Sequence, residues 1–385
     1  ADAPVQRVLP WFQVADAQAS SRITVRHLLT QTSGFSRADG IAPLVAQTQA
    51  STMALARAMS STPLNRPVGA SYEYSNLNFV LLGALLEELS GRPWPQLVQE
   101  RVFAPLALRH SHTDPAQAAG MTALHRYWFG VPLQHGLQAL PGMAPAGNLV
   151  ASANDLARYA AMLLAGGAAP SGRLLTPESV AQLLAPGSPP GHARLLSADF
   201  NFRYGEGWFV GPFGAAADAR WHLGNLASFA AWMVLLPDTK QAVVLLINAN
   251  TELPFNQVNA VMSRLPIGVV NLLRGQPAPQ GPSLRDAYRP LNVTAALVVV
   301  ALLALAWWAA QTRHAAWSVV LLLIAIALFV ALQVAGLNAA VLSAFAPDFA
   351  LVVAAALALL YLPAARRAWA SVRRRFAGSS NARQT

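Results

Sequence analysis

Three apolar blocks near the C-terminus, Leu291–Ala310, Trp317–Val334 and Phe349–Leu362, constrain this chain more than any other feature. Each is near the length a helix needs to cross about 30 Å of hydrocarbon. A buried hairpin of core helices is the competing reading. Blocks this free of charge, with Trp307, Trp308, Trp317 and Tyr361 near their ends, fit a bilayer better, because amphipathic rings settle at the headgroup level. Pro347 and Asp348 open the third block and Pro363 closes it, so its start can slide by several residues.

The charge distribution sets an orientation. The net charge is +10, but residues 1–275 hold 18 Lys/Arg against 15 Asp/Glu, whereas residues 276–385 hold 9 against 2. Arg313 lies between the first two blocks, no basic residue lies between the second and third, and Arg366, Arg367, Arg373, Arg374, Arg375 and Arg383 fill the tail. The positive-inside rule places that tail in the cytoplasm, and three crossings place residues 1–275 on the periplasmic or extracellular face. The expected organisation is a folded domain over 1–275, a linker rich in Pro and polar residues over 276–290, three spans over 291–364 and a basic tail over 365–385. The helices hold almost no intramembrane polar residues except Gln333 and Asn338, which suits an anchor better than a transport pathway.

Composition also excludes function classes. The excess of basic residues sits outside the large domain and no basic stripe with interleaved aromatics is present, so nucleic acid is not an expected partner. The absence of cysteine removes disulfides, thiolate metal sites and a thiol nucleophile. The sequence opens on Ala1 rather than Met with no hydrophobic leader ahead of the first segment, and an upstream portion is expected to be missing.

Within residues 1–275 the expected class is α+β, an antiparallel sheet packed with helices. Ile23–Leu29 opens a helix that stops near Thr32-Ser33-Gly34. Ser75–Leu89 has helical spacing with Gly91 as its stop, and Ser152 caps a helix through Leu156, Tyr159 and Leu163. Gly207–Val210, Ala219–Leu223, Ser228–Leu236 and Ala242–Ile247 read as strands, the last two joined through Pro237-Asp238-Thr239-Lys240.

Common catalytic signatures are missing: no GxSxG elbow, no HExxH helix, no phosphate loop and no dinucleotide fingerprint. His110 and His112 lack a third ligand nearby and read as a polar surface loop, so no metal site is expected. What remains is Tyr74-Ser75-Asn76 at a helix start and His222-Leu223-Gly224-Asn225 on a strand. By themselves Tyr74 could be a half-buried aromatic, Asn76 a helix cap and His222 a structural histidine.

Their setting narrows the choice. ITVRHLLTQTSGF at Ile23–Phe35, YEYSNLNFVLLGALLEELSGRPW at Tyr72–Trp94, GNLVASANDLARYAAMLL at Gly147–Leu164 and YGEGWFV at Tyr204–Val210 together resemble the serine β-lactamase-related family, in that family's order. The group includes class C β-lactamases, DD-peptidases and related esterases. The resemblance implies acyl transfer through a serine ester, with no metal or organic cofactor. It makes Tyr74 the general base or proton shuttle, and Asn76 an amide that orients a lysine and the substrate. His222 and Gly224 fall on an HxG variant of a motif that is usually KTG; a histidine there weakens carboxylate recognition and can shuttle protons near neutral pH. Gly224 admits substrate close to the strand, and the Asn225 N–H is implied as an oxyanion donor.

One departure matters. The family's SxxK motif, which supplies nucleophile and lysine, is absent: Lys240 is the only lysine and the residue three before it is Pro237. In relatives SxxK lies upstream of a segment similar to Asp2–Pro10. Either this is a truncated piece of an active enzyme or the molecule is a non-catalytic relative, and the joint presence of Tyr74, Asn76 and His222 favours truncation. The expectation is therefore a membrane-anchored hydrolase body, silent without its nucleophile, whose substrates would be D-amino-acid peptides, β-lactams or small esters. The alternative is a cell-wall-ligand-binding or regulatory membrane protein.

Overall fold

A computed structural model describes residues 1–136, 139–195, 198–226, 228–251, 256–311, 315–334 and 339–381. They divide into two compact units, one of residues 1–126 and 132–281, the other of residues 127–131 and 282–385. Arg313, Asn338 and Arg383, used in the sequence reading, lie outside the described residues.

The first unit opens with helices α1 (Ala17–Arg22), α2 (Val25–Leu29), α3 (Arg37–Val45), α4 (Thr52–Ala58), α5 (Asn76–Ser90) and α6 (Trp94–Val98). Local chemistry sets their ends. Thr24 caps α2 by accepting the His27 N–H while the His27 ring accepts the Thr24 N–H, and Ser36 and Ser51 cap α3 and α4. The α2 helix therefore begins two residues later than its apolar pattern suggests, because Ile23 is extended and buried as the residue before the cap. Gly91 ends α5 in the left-handed conformation, φ 65°, its N–H returning to the Glu87 carbonyl at 2.9 Å. Leu77, Val80, Leu81, Ala84 and Leu85 of α5 are buried in a core shared with Val5, Leu9, Phe12, Leu28 and Phe35.

Strands begin with a hairpin, β1 (Leu124–Trp128) and β2 (Val131–His135), which the sequence reading did not anticipate. Helix α7 (Ala153–Leu164) follows, capped by Ser152, then the two-residue strands β3 (Ala168–Ala169) and β4 (Gly172–Arg173) and helix α8 (Pro177–Leu183). The main sheet is a consecutive antiparallel meander: β5 (Gly191–Leu195), β6 (Ala198–Tyr204), β7 (Phe209–Phe213), β8 (Ala216–Leu226), β9 (Phe229–Leu236) and β10 (Gln241–Ile247). The short β11 (Ala249–Asn250) pairs in parallel with β1, and α9 (Asn256–Leu273) closes the unit.

Strand alternation buries both faces of this sheet. Trp221, Trp232, Val234, Leu236 and Val243 join Ile267 and Val270 of α9 in one core. Met233 and Leu235 join Ala160, Met162 and Leu163 of α7 and Val180 of α8 in another. This is the α+β class expected for the first 275 residues, an antiparallel sheet packed with helices, and the helices lie on both faces.

The second unit contains α10 (Leu284–Gln311), α11 (Ala315–Val334), the short α12 (Ala339–Phe345) and α13 (Pro347–Asn381). Leu284–Ala309, Ala316–Gln333 and Pro347–Arg373 are long and apolar enough to cross a membrane. Leu321, Ala325, Leu360 and Ala309 form its small core, while Leu297, Leu323 and Leu351 are among many exposed apolar side chains.

Candidate active site

The segment Glu73–Ser75 is held extended against the loop after α2. Gln31, buried and with φ 57°, accepts the Glu73 N–H at its backbone carbonyl and the Ser75 N–H at its side-chain Oε1, both at 2.9 Å. Asn78 Nδ2 also donates to Gln31 Oε1, and Ser33 Oγ donates to Asn78 Oδ1 at 2.6 Å. This buried network fixes where Tyr74 leaves the backbone. Gly34, φ 94°, sits against the Arg66 carbonyl, where an added Cβ would come within 2.3 Å, so no other residue closes this loop without moving it.

Asn76, the first residue of α5, donates from Nδ2 to the Gly40 carbonyl of α3 at 3.0 Å. The close approach needs Gly40 itself, since a Cβ there would lie 2.6 Å from the Asn76 nitrogen.

His222 enters from β8, opposite Met233 of β9. Its ring centre lies 6.2 Å from that of Tyr74, at 45°, although 148 positions separate them in sequence. Its Nε2 is 3.0 Å from the hydroxyl of Tyr204 at the end of β6. Tyr204 is buried, with its N–H held by Ser188 Oγ at 2.8 Å, and it belongs to an aromatic group with Tyr72, Phe202 and Phe209. Phe209 stacks on Trp221 and approaches His222 to 5.4 Å.

Burial sets the protonation of this group. It pulls His222 down from 6.5 to about 4, against a small opposing contribution from a bond to the Leu223 backbone, so the imidazole is neutral at pH 7. It pushes Tyr74 above the usual phenol range, the Arg37 charge opposing only in part, and it pushes Tyr72 and Tyr204 up as well. The site as folded holds phenols and a neutral imidazole.

The end of β8 is open. Gly224 and Asn225 pair with Ala231 and Ala230 of β9, but β7 pairs with β8 only as far as Trp221. Among the described residues, 222–226 therefore have a strand on one side only. A Cβ at Gly224 would meet nothing closer than Ala231 Cβ at 3.6 Å, so the protein's own packing does not demand glycine there; a close ligand would.

Tyr74 and His222 are thus brought together, with Gly224 and Asn225 following on the same strand, whereas the Asn76 amide is turned to Gly40 of α3. Lys240 sits exposed in the β9–β10 turn, φ 53°. His110 and His112 lie elsewhere, His110 bonded through its N–H to Asp155 and His112 bridged to Val150. Reasoning from sequence missed Gln31, Arg37 and Tyr204. Tyr204 stood in the YGEGWFV run, the signal that could have found it.

Comparison with known proteins agrees with this architecture. The chain is 31% identical over 189 residues to penicillin-binding protein 4 of Amycolatopsis lactamdurans, covering 47% of this chain and 48% of that protein. It spans about half the length of the curated relatives it matches. D-amino acid amidase from Ochrobactrum anthropi superposes with TM-score 0.56 at 20% identity, covering 71% of this chain and 76% of the amidase. The octameric penicillin-binding protein homologue from Pyrococcus abyssi superposes with TM-score 0.55 at 20% identity, covering 72% and 60% respectively. At such identities these structures share the fold. The Beta-lactamase family model matches residues 1–263, more than half of the sequence, and the chain belongs to that family.

Proposed function

We propose that this chain is the folded body and membrane anchor of a serine hydrolase that cleaves amide or ester bonds by acyl transfer. The observation that carries the reading is the 6.2 Å approach of the Tyr74 and His222 rings beside the open end of β8. In this reading Tyr74 relays the nucleophile's proton, Asn76 orients the groups around it, His222 meets the substrate as a neutral hydrogen-bonding partner, and the Gly224–Asn225 backbone lines the acyl group. Substrates are small amides or esters, with D-amino-acid peptides and β-lactams as the classes that the relatives' names suggest.

The nucleophile is the open element. The 385 residues contain no SxxK, and Ser75 beside Tyr74 is fully buried on the core side of α5. Burial raises Tyr74 and the Arg37 charge opposes it only in part, so the phenolate is disfavoured. By themselves these residues are hydrolytically silent. The same observation favours the second reading, a ligand-binding or regulatory membrane protein of the family that keeps the cleft without the chemistry.

The three long apolar helices support a multi-pass anchor, and the arginines of the tail support a cytoplasmic C-terminus with the hydrolase body outside. The test is labelling by fluorescent penicillin and by a fluorophosphonate, on the 385-residue chain and on the reading frame extended upstream in its gene. Hydrolase function predicts no label on the first and a labelled SxxK serine on the second. An extended frame without SxxK supports the binding protein, and a labelled serine within the 385 residues refutes the assignment of roles.

A further inference from the structure

The tip of the β1–β2 hairpin, residues 127–131, folds as part of the unit that contains the three long apolar helices. Its two turn residues, Phe129 and Gly130, have φ 50° and 87°, the handedness of a tight type I′ turn. Such turns favour Asn-Gly, and a bulky aromatic in the left-handed region is costly. Gly130 is needed by contact, since a Cβ there would lie 3.0 Å from Tyr288 Cβ. Phe129 gains no burial in return: it is 38% exposed, Val131 is 56% exposed, and every residue of β2 is exposed.

The backbone of this aromatic is nevertheless clamped on both sides. The Phe129 N–H donates to Oδ2 of Asp348 at 2.9 Å, and its carbonyl accepts from Asn292 Nδ2 at 2.9 Å. Asp348 is buried in the first turn of α13, and Asn292 stands where α10 turns apolar. Both mark the same end of helices that run in the same direction if α10, α11 and α13 cross in succession. Tyr127 packs near Tyr288 of α10, with ring centres 6.3 Å apart.

We infer that this tip is an interfacial membrane anchor, with Trp128, Phe129 and Val131 seated where lipid headgroups meet acyl chains. The inference rests on the spanning reading of the helices. Exposed Phe129 beside half-buried Trp128, pinned by the Phe129 backbone to the ends of two spans, lies at the depth where Trp and Phe are stabilised, and the ring's exposure in the folded chain leaves it for lipid. The backbone clamp fixes depth without using the side chains, which accounts for a phenylalanine at a turn position that local conformation disfavours.

The chain has no cysteine, so single-cysteine labelling is clean. The full chain carrying Val131→Cys, and separately Leu323→Cys in the middle of α11, is labelled with an environment-sensitive nitrobenzoxadiazole and reconstituted into phosphatidylcholine–phosphatidylglycerol vesicles. The vesicles carry nitroxide lipids at shallow or deep positions. The expected result is a blue-shifted label at position 131 quenched mainly by the shallow nitroxide, and a label at 323 quenched mainly by the deep one. Deep quenching at 323 with none at 131 overturns the interfacial anchor alone. No quenching at 323 overturns the spanning reading and the anchor with it. A label at 131 that is shielded from both nitroxides, with a blue shift that grows with protein density, shows a second copy on the tip and also overturns it. Adding Phe129→Asn, which suits the turn, is expected to abolish shallow quenching at 131 without lowering the thermal midpoint. Unchanged quenching in that variant overturns the role of the aromatic.

Discussion

The hydroxyl of Tyr204 lies 3.0 Å from Nε2 of His222, a hydrogen bond between two groups of the candidate site whose protonation burial sets. Both side chains are pushed by burial toward their neutral forms, the tyrosine to phenol and the histidine to imidazole. A phenol retains its proton and can donate it in a hydrogen bond, so Nε2 accepts when the other ring nitrogen carries the imidazole proton. In the proposed assignment of roles, His222 puts a group without charge at neutral pH where a lysine would carry a permanent one.

That state has a pH signature. Burial pulls His222 from 6.5 down to about 4 in the fold, so between those values the unfolded chain binds more protons. Stability contributed by the neutral ring is complete above about pH 6.5 and falls as the pH drops toward 4, by at most roughly 3.5 kcal/mol at about 1.4 kcal/mol per pH unit. Denaturation of the wild type and of His222→Gln in detergent between pH 5 and 7.5 measures the difference. The wild type should lose more stability on acidification than the variant. Parallel pH dependences would mean that the ring is solvated.

The Tyr204–His222 bond itself is measurable as a coupling. A double-mutant cycle with Tyr204→Phe and His222→Phe should give an interaction of about 0.5–1.5 kcal/mol, the usual net value for one hydrogen bond. Each single variant should cost more than that coupling, because it strands a polar partner in a buried site. Additive single effects would show that the contact contributes nothing.

How much of this was legible before the structure varies by element. The meander from β7 to β10 and the helix at Ser75 follow from local alternation, helical spacing and the Gly91 stop, all properties of neighbouring residues. Tyr74 and His222 were nameable because each sits in a short recognisable run. The Gln31 network and the Tyr204–His222 bond were not, because they depend on which residues face each other across strands. Tyr204 and His222 stand on strands β6 and β8, which are separated by β7, and no local pattern signals that their side chains meet. The β1–β2 hairpin escaped notice for a local reason: Phe-Gly at its turn gives none of the Asn-Gly signal that marks a hairpin. Helix α2 was placed early because apolar spacing does not register that Thr24 and His27 close a cap.

Packing of α5 yields a prediction in which propensity and sterics oppose each other. Gly83 lies mid-helix, where alanine would ordinarily stabilise by roughly 0.5–1 kcal/mol. A Cβ there would lie 2.4 Å from Pro145 Cγ and 3.1 Å from Thr52 Cγ2, and the proline ring cannot rotate away. Overpacking of a filled core costs about 1–3 kcal/mol, so Gly83→Ala should be net destabilising. A raised midpoint in denaturant would show that the 141–146 segment yields.

The last prediction concerns what holds the loop before the hairpin against the sheet-covering helix. Asp155, buried in the first turn of α7, accepts at Oδ2 from the His110 N–H at 2.7 Å and from Ser111 Oγ at 2.9 Å, while its own N–H is capped by Ser152. A carboxylate there gains from the helix N-terminus as well as from two donors. Asp155→Ala removes the acceptor and leaves the His110 N–H and the buried Ser111 hydroxyl without it, which should cost roughly 2–3 kcal/mol. Asp155→Asn keeps one carbonyl oxygen for the same donors and should cost clearly less. Chemical denaturation followed by near-ultraviolet circular dichroism ranks the three proteins. A cost for alanine within about 0.5 kcal/mol, the range of an ordinary surface substitution, would show that the contact does not hold the loop.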